Sequence, residues 1–218
     1  MNPVDLRLYG IVGPDNARGR DLGALVAAAV AGGCTLIQLR DKTSPTRALV
    51  ETARSIKAAL RGSGVPLLVN DRVDVALAAG ADGVHLGQDD MRVRDARALL
   101  GPRAIIGLTL KTSADAAALA SEPADYGCIG GVFATASKTN PEPPIGLDGL
   151  AAAVAAGRGA GMPLGAIAGI DAGNAAAVIG AGADGIAVIS AVFNADDPTA
   201  AARRLRAVVD GALAARGA

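Results

Sequence analysis

Apolar and polar positions along the chain fall into two alternating patterns. Short, nearly continuous apolar runs, rich in Val, Ile and Leu, are separated by longer Ala-rich segments of helical spacing. Leu36, Ile37 and Leu39 are apolar, while Gln38, Arg40 and Lys42 alternate with them at a period of two, as on a strand that leaves the core. Reading on in this way predicts strands at Leu6–Val12, Leu36–Arg40, Pro66–Val69, Gly83–Leu86, Ala104–Leu108, Tyr126–Ile129, Leu164–Ala168 and Gly185–Ile189. Helices are predicted over Asp21–Ala31, from Ser44-Pro45 to Arg61, over Val73–Ala79, Val93–Leu100, Ala114–Ser121, Leu147–Ala156 and Asn174–Ile179, and from an Asp197-Pro198 cap to about Ala215.

Strict alternation implies a parallel sheet with right-handed crossovers. An echo sharpens this: Ala79-Gly80-Ala81-Asp82-Gly83 enters the fourth strand and Ala181-Gly182-Ala183-Asp184-Gly185 the eighth. Weaker versions, at Gly32–Thr35 and Ala124–Gly127, enter the second and sixth. Repetition at every second strand suits a closed, quasi-fourfold barrel, so the expected fold is α/β, a single (β/α)8 TIM-barrel domain over residues 1–218. The longest connection, Gly130 to Ile145, is Gly- and Pro-containing and reads as a functional, lid-like loop.

Composition narrows the class. With 51% apolar but only 2% aromatic residues, the core is built from Ala, Val, Leu and Ile. A net charge of zero and no long basic run argue against a nucleic-acid partner. Cys34 and Cys128 lie in apolar segments without metal-ligand spacing and read as buried free thiols in a reducing, cytoplasmic setting. Leu22 to Leu39 is uncharged, but Gly32-Gly33, Thr35 and Gln38 interrupt it, so a helix, a turn and a strand are expected rather than a membrane span. The first residues show no basic segment leading into an apolar one, so no signal peptide is expected.

In such a barrel the C-terminal strand ends share one rim, where active sites lie. That rim receives Gln38, Arg40 and Lys42, then Asn70 and Asp71, then His85, Gln88, Asp89 and Asp90, then Thr109, and Thr135, Ser137 and Lys138 from the long loop. Asp71 and Asp90 come from neighbouring strands; each alone is explained as a helix cap, but together they suit a hard cation such as Mg2+. Arg40, Lys42 and Lys138 beside them suggest a metal-bound diphosphate. Gly169 and the Ser190-Ala191 turn suggest a second, phosphate-binding site, since loops after strands seven and eight hold phosphate in this fold. His85, the one histidine, is read as either a hydrogen-bonded core residue or a base. No Ser-His-Asp or Cys-His set can be assembled, so the site reads as electrostatic rather than covalent.

Gln38-Leu39-Arg40-Asp41-Lys42, Asn70-Asp71, His85-Leu86-Gly87-Gln88-Asp89-Asp90, Thr135-Ala136-Ser137-Lys138 and Val188-Ile189-Ser190-Ala191 resemble, in register from about Leu6 to Leu213, the thiamine phosphate synthase family. The resemblance implies a transferase of thiamine biosynthesis. It would couple 4-amino-5-hydroxymethyl-2-methylpyrimidine diphosphate to 4-methyl-5-(2-phosphoethyl)thiazole, giving thiamine phosphate and diphosphate. By position it implies Asp71 and Asp90 as Mg2+ ligands and Arg40, Lys42, Asn70 and Lys138 as diphosphate contacts. It places Gln38 and Thr109 near the pyrimidine, and Thr135, Ser137, Gly169, Ile189 and Ser190 at the thiazole phosphate. In the family diphosphate leaves first and the thiazole nitrogen captures the pyrimidine cation. The implied partners are these small molecules, with a homo-oligomer left open. Thr109 stands where Ser is common in the family, Ser137 where Thr is, Ala168 where a second Gly is, Gly130-Gly131 where Gly-Pro is, and Lys111 where His is. A thiazole tautomerase of the same superfamily, or a metabolite-binding regulator on the same barrel, are the rival readings; the first would not need the cations and carboxylates together.

Overall fold

Eight parallel strands close on themselves in chain order, the first hydrogen-bonded to both the second and the eighth. The computed structural model describes residues 4–135 and 143–217. After β1 (Leu8–Val12) come α1 (Pro14–Ala17) and α2 (Leu22–Ala31), and then β2 (Leu36–Leu39) and α3 (Thr46–Ala59). β3 (Leu67–Asn70), α4 (Val73–Ala79), β4 (Gly83–Leu86), α5 (Val93–Leu100), β5 (Ile105–Leu110) and α6 (Ser113–Ala118) follow. β6 (Tyr126–Ile129), α7 (Gly146–Gly157), β7 (Leu164–Ile167), α8 (Ala175–Gly180), β8 (Gly185–Val188), α9 (Ser190–Phe193) and α10 (Pro198–Gly217) complete the (β/α)8 barrel. No helix among the described residues is long and apolar enough to cross a membrane.

Several boundaries differ from the sequence expectation, each for a local reason. β1 starts at Leu8 rather than Leu6, because the Asp5 carboxylate takes the Arg7 backbone N–H at 3.0 Å. Ser44 does not cap α3; Pro45 occupies that position, and the Ser44 N–H instead meets Asp41 Oδ1 at 3.0 Å. β5 runs on to Leu110, so Thr109 lies within a strand and not beyond one. β7 stops at Ile167 because Ala168 takes φ +98°, outside strand geometry. For a side chain with a Cβ such a conformation costs about 1–2 kcal/mol. α1 was not foreseen; it begins with Pro14, whose missing N–H suits a first helical turn.

The echo before alternate strands has a structural cause. The residue entering each even-numbered strand exchanges two hydrogen bonds with the start of the preceding odd strand. Thr35, Asp82, Asp125 and Asp184 donate their backbone N–H to the carbonyls of Leu8, Leu67, Ile106 and Leu164. Their side-chain oxygens accept the N–H of those same four residues, at 3.2, 2.7, 2.7 and 2.9 Å respectively. Basic side chains then hold the three carboxylates: Lys57 on Asp82, Arg97 on Asp125, Arg158 and Arg216 on Asp184. The N-terminal end of the barrel is thus pinned at four equivalent points, which leaves the opposite rim to carry function.

Side chains alternate in and out along every strand. The outward set packs under the helices and includes Leu8, Ile37, Leu67, Val84, Ile106 and Ile186. The inward set includes Leu6, Tyr9, Ile11, Leu36, Leu68, Tyr126, Cys128 and Ala187, together with the buried Gln38 and His85. Cys34 and Cys128 are both buried and neither is in a disulfide, and burial pushes the Cys34 thiol up to about 12.

Candidate active site

The rim after β2 is shaped by Asp41. Its Oδ1 accepts the N–H groups of Thr43 and Ser44, both at 3.0 Å, and the Thr43 hydroxyl at 3.2 Å. Burial pushes this carboxyl up, but those hydrogen bonds outweigh it and hold the group below its ordinary range. The fixed turn places Lys42 so that its Nζ lies 3.0 Å from Asp71 Oδ2. Asp71 itself has φ +62°, a left-handed conformation that Asp and Asn tolerate better than most residues, and its N–H is held by the His85 carbonyl at 2.9 Å. Asp90 returns on the turn after β4, where its Oδ2 accepts the Gly87 N–H at 2.7 Å. The Asp71 and Asp90 carboxyls are near enough to act on each other electrostatically. Burial first, and then Asp90, raise the Asp71 carboxyl above its usual range, while Lys42 pulls the other way.

Asp71, Asp90 and Lys42 therefore do come together, as the sequence suggested. No group of three or more His, Cys, Asp or Glu side chains suited to a metal forms among the described residues. Two carboxylates that repel each other at an open rim fit an oxygen-seeking divalent cation that keeps its other positions for water or a phosphate. Asn70 ends β3 at the same rim, half-buried, next to Asp71.

A cavity of about 640 Å³ is lined by Arg40, Thr135, Gly169, Ile189 and Ser190 among others, whereas Lys42, Asn70, Asp71 and Asp90 do not line it. Those five sequence-predicted residues share one space, so Arg40, expected at the diphosphate, also faces the loops after β7 and β8. Gly169 has φ +64°, and a Cβ there would stand 2.4 Å from the Ala134 carbonyl oxygen. Glycine is needed because the 133–134 backbone lies directly over it, tied by Phe133 N–H to the Ala168 carbonyl at 3.1 Å. Both ends of the long loop are anchored, Ile145 N–H to the Gly131 carbonyl at 2.9 Å and Gly146 N–H to that of Val132 at 3.0 Å. Ser137 and Lys138, and with them the middle of the lid-like loop, lie outside the described residues.

Sequence reasoning assigned nothing to the end of β1, yet Gly13, Asp15 and Asn16 line the same cavity, as do Asp171 and Asn194. The signal was present in Gly13-Pro14: a Cβ on Gly13 would fall 1.8 Å from the Arg40 carbonyl oxygen, so glycine there lets β1 and the Arg40 backbone meet.

Reasoning from sequence also missed a hydrogen-bonded chain across the barrel interior. Gln38 Nε2 donates to the Tyr9 hydroxyl, and the Tyr9 and Tyr126 oxygens lie 3.0 Å apart. His85 Nδ1 is 2.8 Å from the Tyr126 oxygen and its Nε2 2.8 Å from Thr109 Oγ1. The Tyr126 ring crosses Tyr9 edge-on at 5.9 Å and stacks on His85 at 5.6 Å. It fits because β5 has Gly107 opposite, where a Cβ would fall 2.1 Å from the Tyr126 ring. Burial raises both phenols well above their ordinary range. His85 is thus a hydrogen-bonded interior residue, and the buried Gln38 is one end of its chain.

A closed eight-stranded barrel with a carboxylate pair and basic side chains on its C-terminal rim defines a class of protein, a (β/α)8 barrel with charged side chains gathered at that rim. Comparison with known proteins specifies it further. The family model for thiamine monophosphate synthase matches residues 8–192. The thiamine-phosphate synthase of Agrobacterium fabrum is 53% identical over 218 residues, covering 99% of each chain, and that of Chloroflexus aurantiacus 49% over 206 residues, covering 94% of each. A solved thiamine phosphate pyrophosphorylase from Pyrococcus furiosus superposes with a TM-score of 0.84 at 38% identity, covering 96% of this chain and 98% of its own. The chain belongs to the thiamine monophosphate synthase family and is a transferase of thiamine biosynthesis.

Proposed function

We propose that the chain joins 4-amino-5-hydroxymethyl-2-methylpyrimidine diphosphate to 4-methyl-5-(2-phosphoethyl)thiazole, giving thiamine phosphate and diphosphate, with Mg2+ held by Asp71 and Asp90. The observation that carries this reading is the convergence of Lys42, Asp71 and Asp90 from three different strand ends, on a rim whose Arg40 also lines a cavity with Gly169 and Ser190. When bound, Mg2+ would neutralise diphosphate charge. Lys42, Arg40 and Lys138 add cations to the same leaving group, with Asn70 as a further contact. Thr135, Ser137, Gly169, Ile189 and Ser190 hold the thiazole phosphate, and Gln38 and Thr109 lie against the pyrimidine. The bond from the pyrimidine methylene to the diphosphate oxygen breaks first, its electron pair leaving with the oxygen. The thiazole nitrogen lone pair then forms the new C–N bond to the cationic methylene. Neither step requires a protein nucleophile, and the charged rim supplies what the chemistry does need, stabilisation of a departing anion.

The loop from Gly130 to Ile145 acts as a lid that brings Lys138 over the diphosphate, and the enzyme works in the cytoplasm, where Cys34 and Cys128 stay reduced. Incubation of both substrates with and without Mg2+, followed by chromatography for thiamine phosphate, tests the reading. Metal-dependent product is expected. Binding of either substrate without any turnover would refute it in favour of a metabolite-binding role.

A further inference from the structure

Two loops that line the cavity are held by the same side-chain grip. Asn16 Oδ1 accepts the N–H three residues back, at Gly13, at 2.8 Å, and its Nδ2 donates to the carbonyl five residues back, at Ile11, at 3.3 Å. Asn174 repeats this spacing after β7: its Oδ1 accepts the Asp171 N–H at 2.9 Å and its Nδ2 donates to the Gly169 carbonyl at 2.8 Å. The partners fix which end of each amide is which, since an N–H needs the oxygen and a carbonyl needs the nitrogen. Elsewhere on the rim the turns are held by carboxylates, which only accept. Asp90 takes the Gly87 N–H, and Asp115 takes those of Lys111 and Thr112. Amides thus stand where a carbonyl must be held as well as an N–H.

The Gly169 carbonyl and the Ile170 N–H belong to one trans peptide, in which the two groups point in opposite directions. Gly169, Ile170 and Asp171 line the cavity and Asn174 does not, so a carbonyl turned towards Asn174 leaves the Ile170 N–H facing the cavity. That N–H has no acceptor among the described residues, although Ile170 is only 5% exposed. A backbone donor so placed calls for an acceptor from outside the chain. We propose that Asn174 is a positioning residue for the thiazole substrate: by holding the Gly169 carbonyl back, it aims the Ile170 N–H at the substrate's phosphate. This rests on the reading that the loop after β7 binds that phosphate, and it adds one donor to those already named there. The neutrality of the amide matters as well. Arg40 is the single cation among the described residues that line the cavity, against the carboxylates of Asp15 and Asp171. A carboxylate in place of the Asn174 amide would free the Gly169 carbonyl and add another negative charge close to the anion.

The Ile170 amide signal of ¹⁵N-isoleucine-labelled protein tests this without turnover. Titration with inorganic phosphate should move that signal downfield in the parent, and hardly at all in Asn174→Ala and Asn174→Asp. A parent signal that phosphate leaves in place would overturn the proposal. In steady-state assays both variants should raise the thiazole phosphate KM by roughly tenfold or more, the worth of one hydrogen bond to a charged group. The pyrimidine diphosphate KM should stay within about twofold of the parent's. Asn174→Ala adds no charge, so its loss isolates the freed carbonyl, while Asn174→Asp keeps the acceptor for the Asp171 N–H and should melt closer to the parent. Asp115→Ala loses an acceptor of the same spacing after β5 and serves as the control: it should lower Tm and leave the thiazole phosphate KM unchanged. An unchanged thiazole phosphate KM in both Asn174 variants, equal rises for both substrates, or a matching rise in the control would reduce Asn174 to a structural cap and sink the proposal. If Asn174→Ala fails to fold, Asn174→Asp and the parent signal still decide. If the parent makes no thiamine phosphate yet its Ile170 signal answers phosphate, the functional reading fails while the assignment of this peptide stands.

Discussion

Asp71→Asn is expected to stabilise the ligand-free protein while removing most of its turnover. The backbone accepts the change, since φ +62° suits Asn at least as well as Asp. The carboxyl it replaces is held above its ordinary range by burial and by Asp90, only partly offset by Lys42. Two like charges about 4 Å apart cost roughly 4 kcal/mol at an effective dielectric near 20. The Lys42 contact at 3.0 Å involves a side chain 54% exposed, and such a pair returns about 1 kcal/mol or less. Proton uptake and relaxation absorb part of the difference, leaving about 1–2 kcal/mol in favour of the amide. For a chain of this size each kcal/mol is worth about 2–4 °C in Tm. The sign with pH follows from the raised value. The parent's Asp71 favours folding only while it is protonated, and that contribution is lost as pH rises from the unfolded value through the folded one. The melting difference should therefore open with rising pH and stay open at neutrality. Added Mg2+ should raise the parent's Tm and leave the variant's unchanged, while turnover in the variant falls at least a hundredfold. Thermal melts across this pH range, with and without Mg2+, check it. A variant that melts below the parent at neutral pH without metal, by a margin independent of pH, would refute the argument from charge repulsion.

Gly169→Ala should cost more than 2 kcal/mol of stability and most thiazole phosphate affinity, because its Cβ would meet the Ala134 carbonyl at 2.4 Å in a left-handed backbone; denaturant melts and calorimetric titration measure the two losses. Asp125→Ala removes the ion-pair partner of Arg97, which keeps its bonds to the Gly101, Ala104 and Pro123 carbonyls, and takes the acceptor from the Ile106 N–H at the opposite end of the barrel, so about 2 kcal/mol of stability should go while kcat at permissive temperature holds. Lys138→Ala should lower kcat about a hundredfold with a smaller change in KM, since its cation meets charge that develops as diphosphate departs; a kcat within threefold of the parent in steady-state assays would remove Lys138 from the mechanism.

Sequence alone determined the barrel and much of its rim. Period-two alternation around Gln38, Arg40 and Lys42 depends only on neighbouring residues, and so do the helix stops at Gly32-Gly33 and the Asp197 cap, whose carboxylate accepts the Ala200 N–H at 2.9 Å. The Ala-Gly-Ala-Asp-Gly echo was legible because each copy does the same local task, pinning one strand entry to the next. Asp71, Asp90 and Lys42 were legible because strand order in a (β/α)8 barrel places consecutive strand ends side by side. What only tertiary structure decided are relations across the barrel. Arg40 faces the loops after β7 and β8 because β2 lies near β8 once the sheet closes. Ala168 leaves its strand because the backbone of the loop after β6 lies against it, a strain that no propensity reports. Tyr9 and Tyr126 read as ordinary apolar-strand aromatics, and their hydroxyls meet across 117 residues of chain only because the inward faces of β1 and β6 share one interior. A hydrogen-bond chain of that kind has no local pattern, since each member obeys the period of its own strand and the partner is supplied by closure.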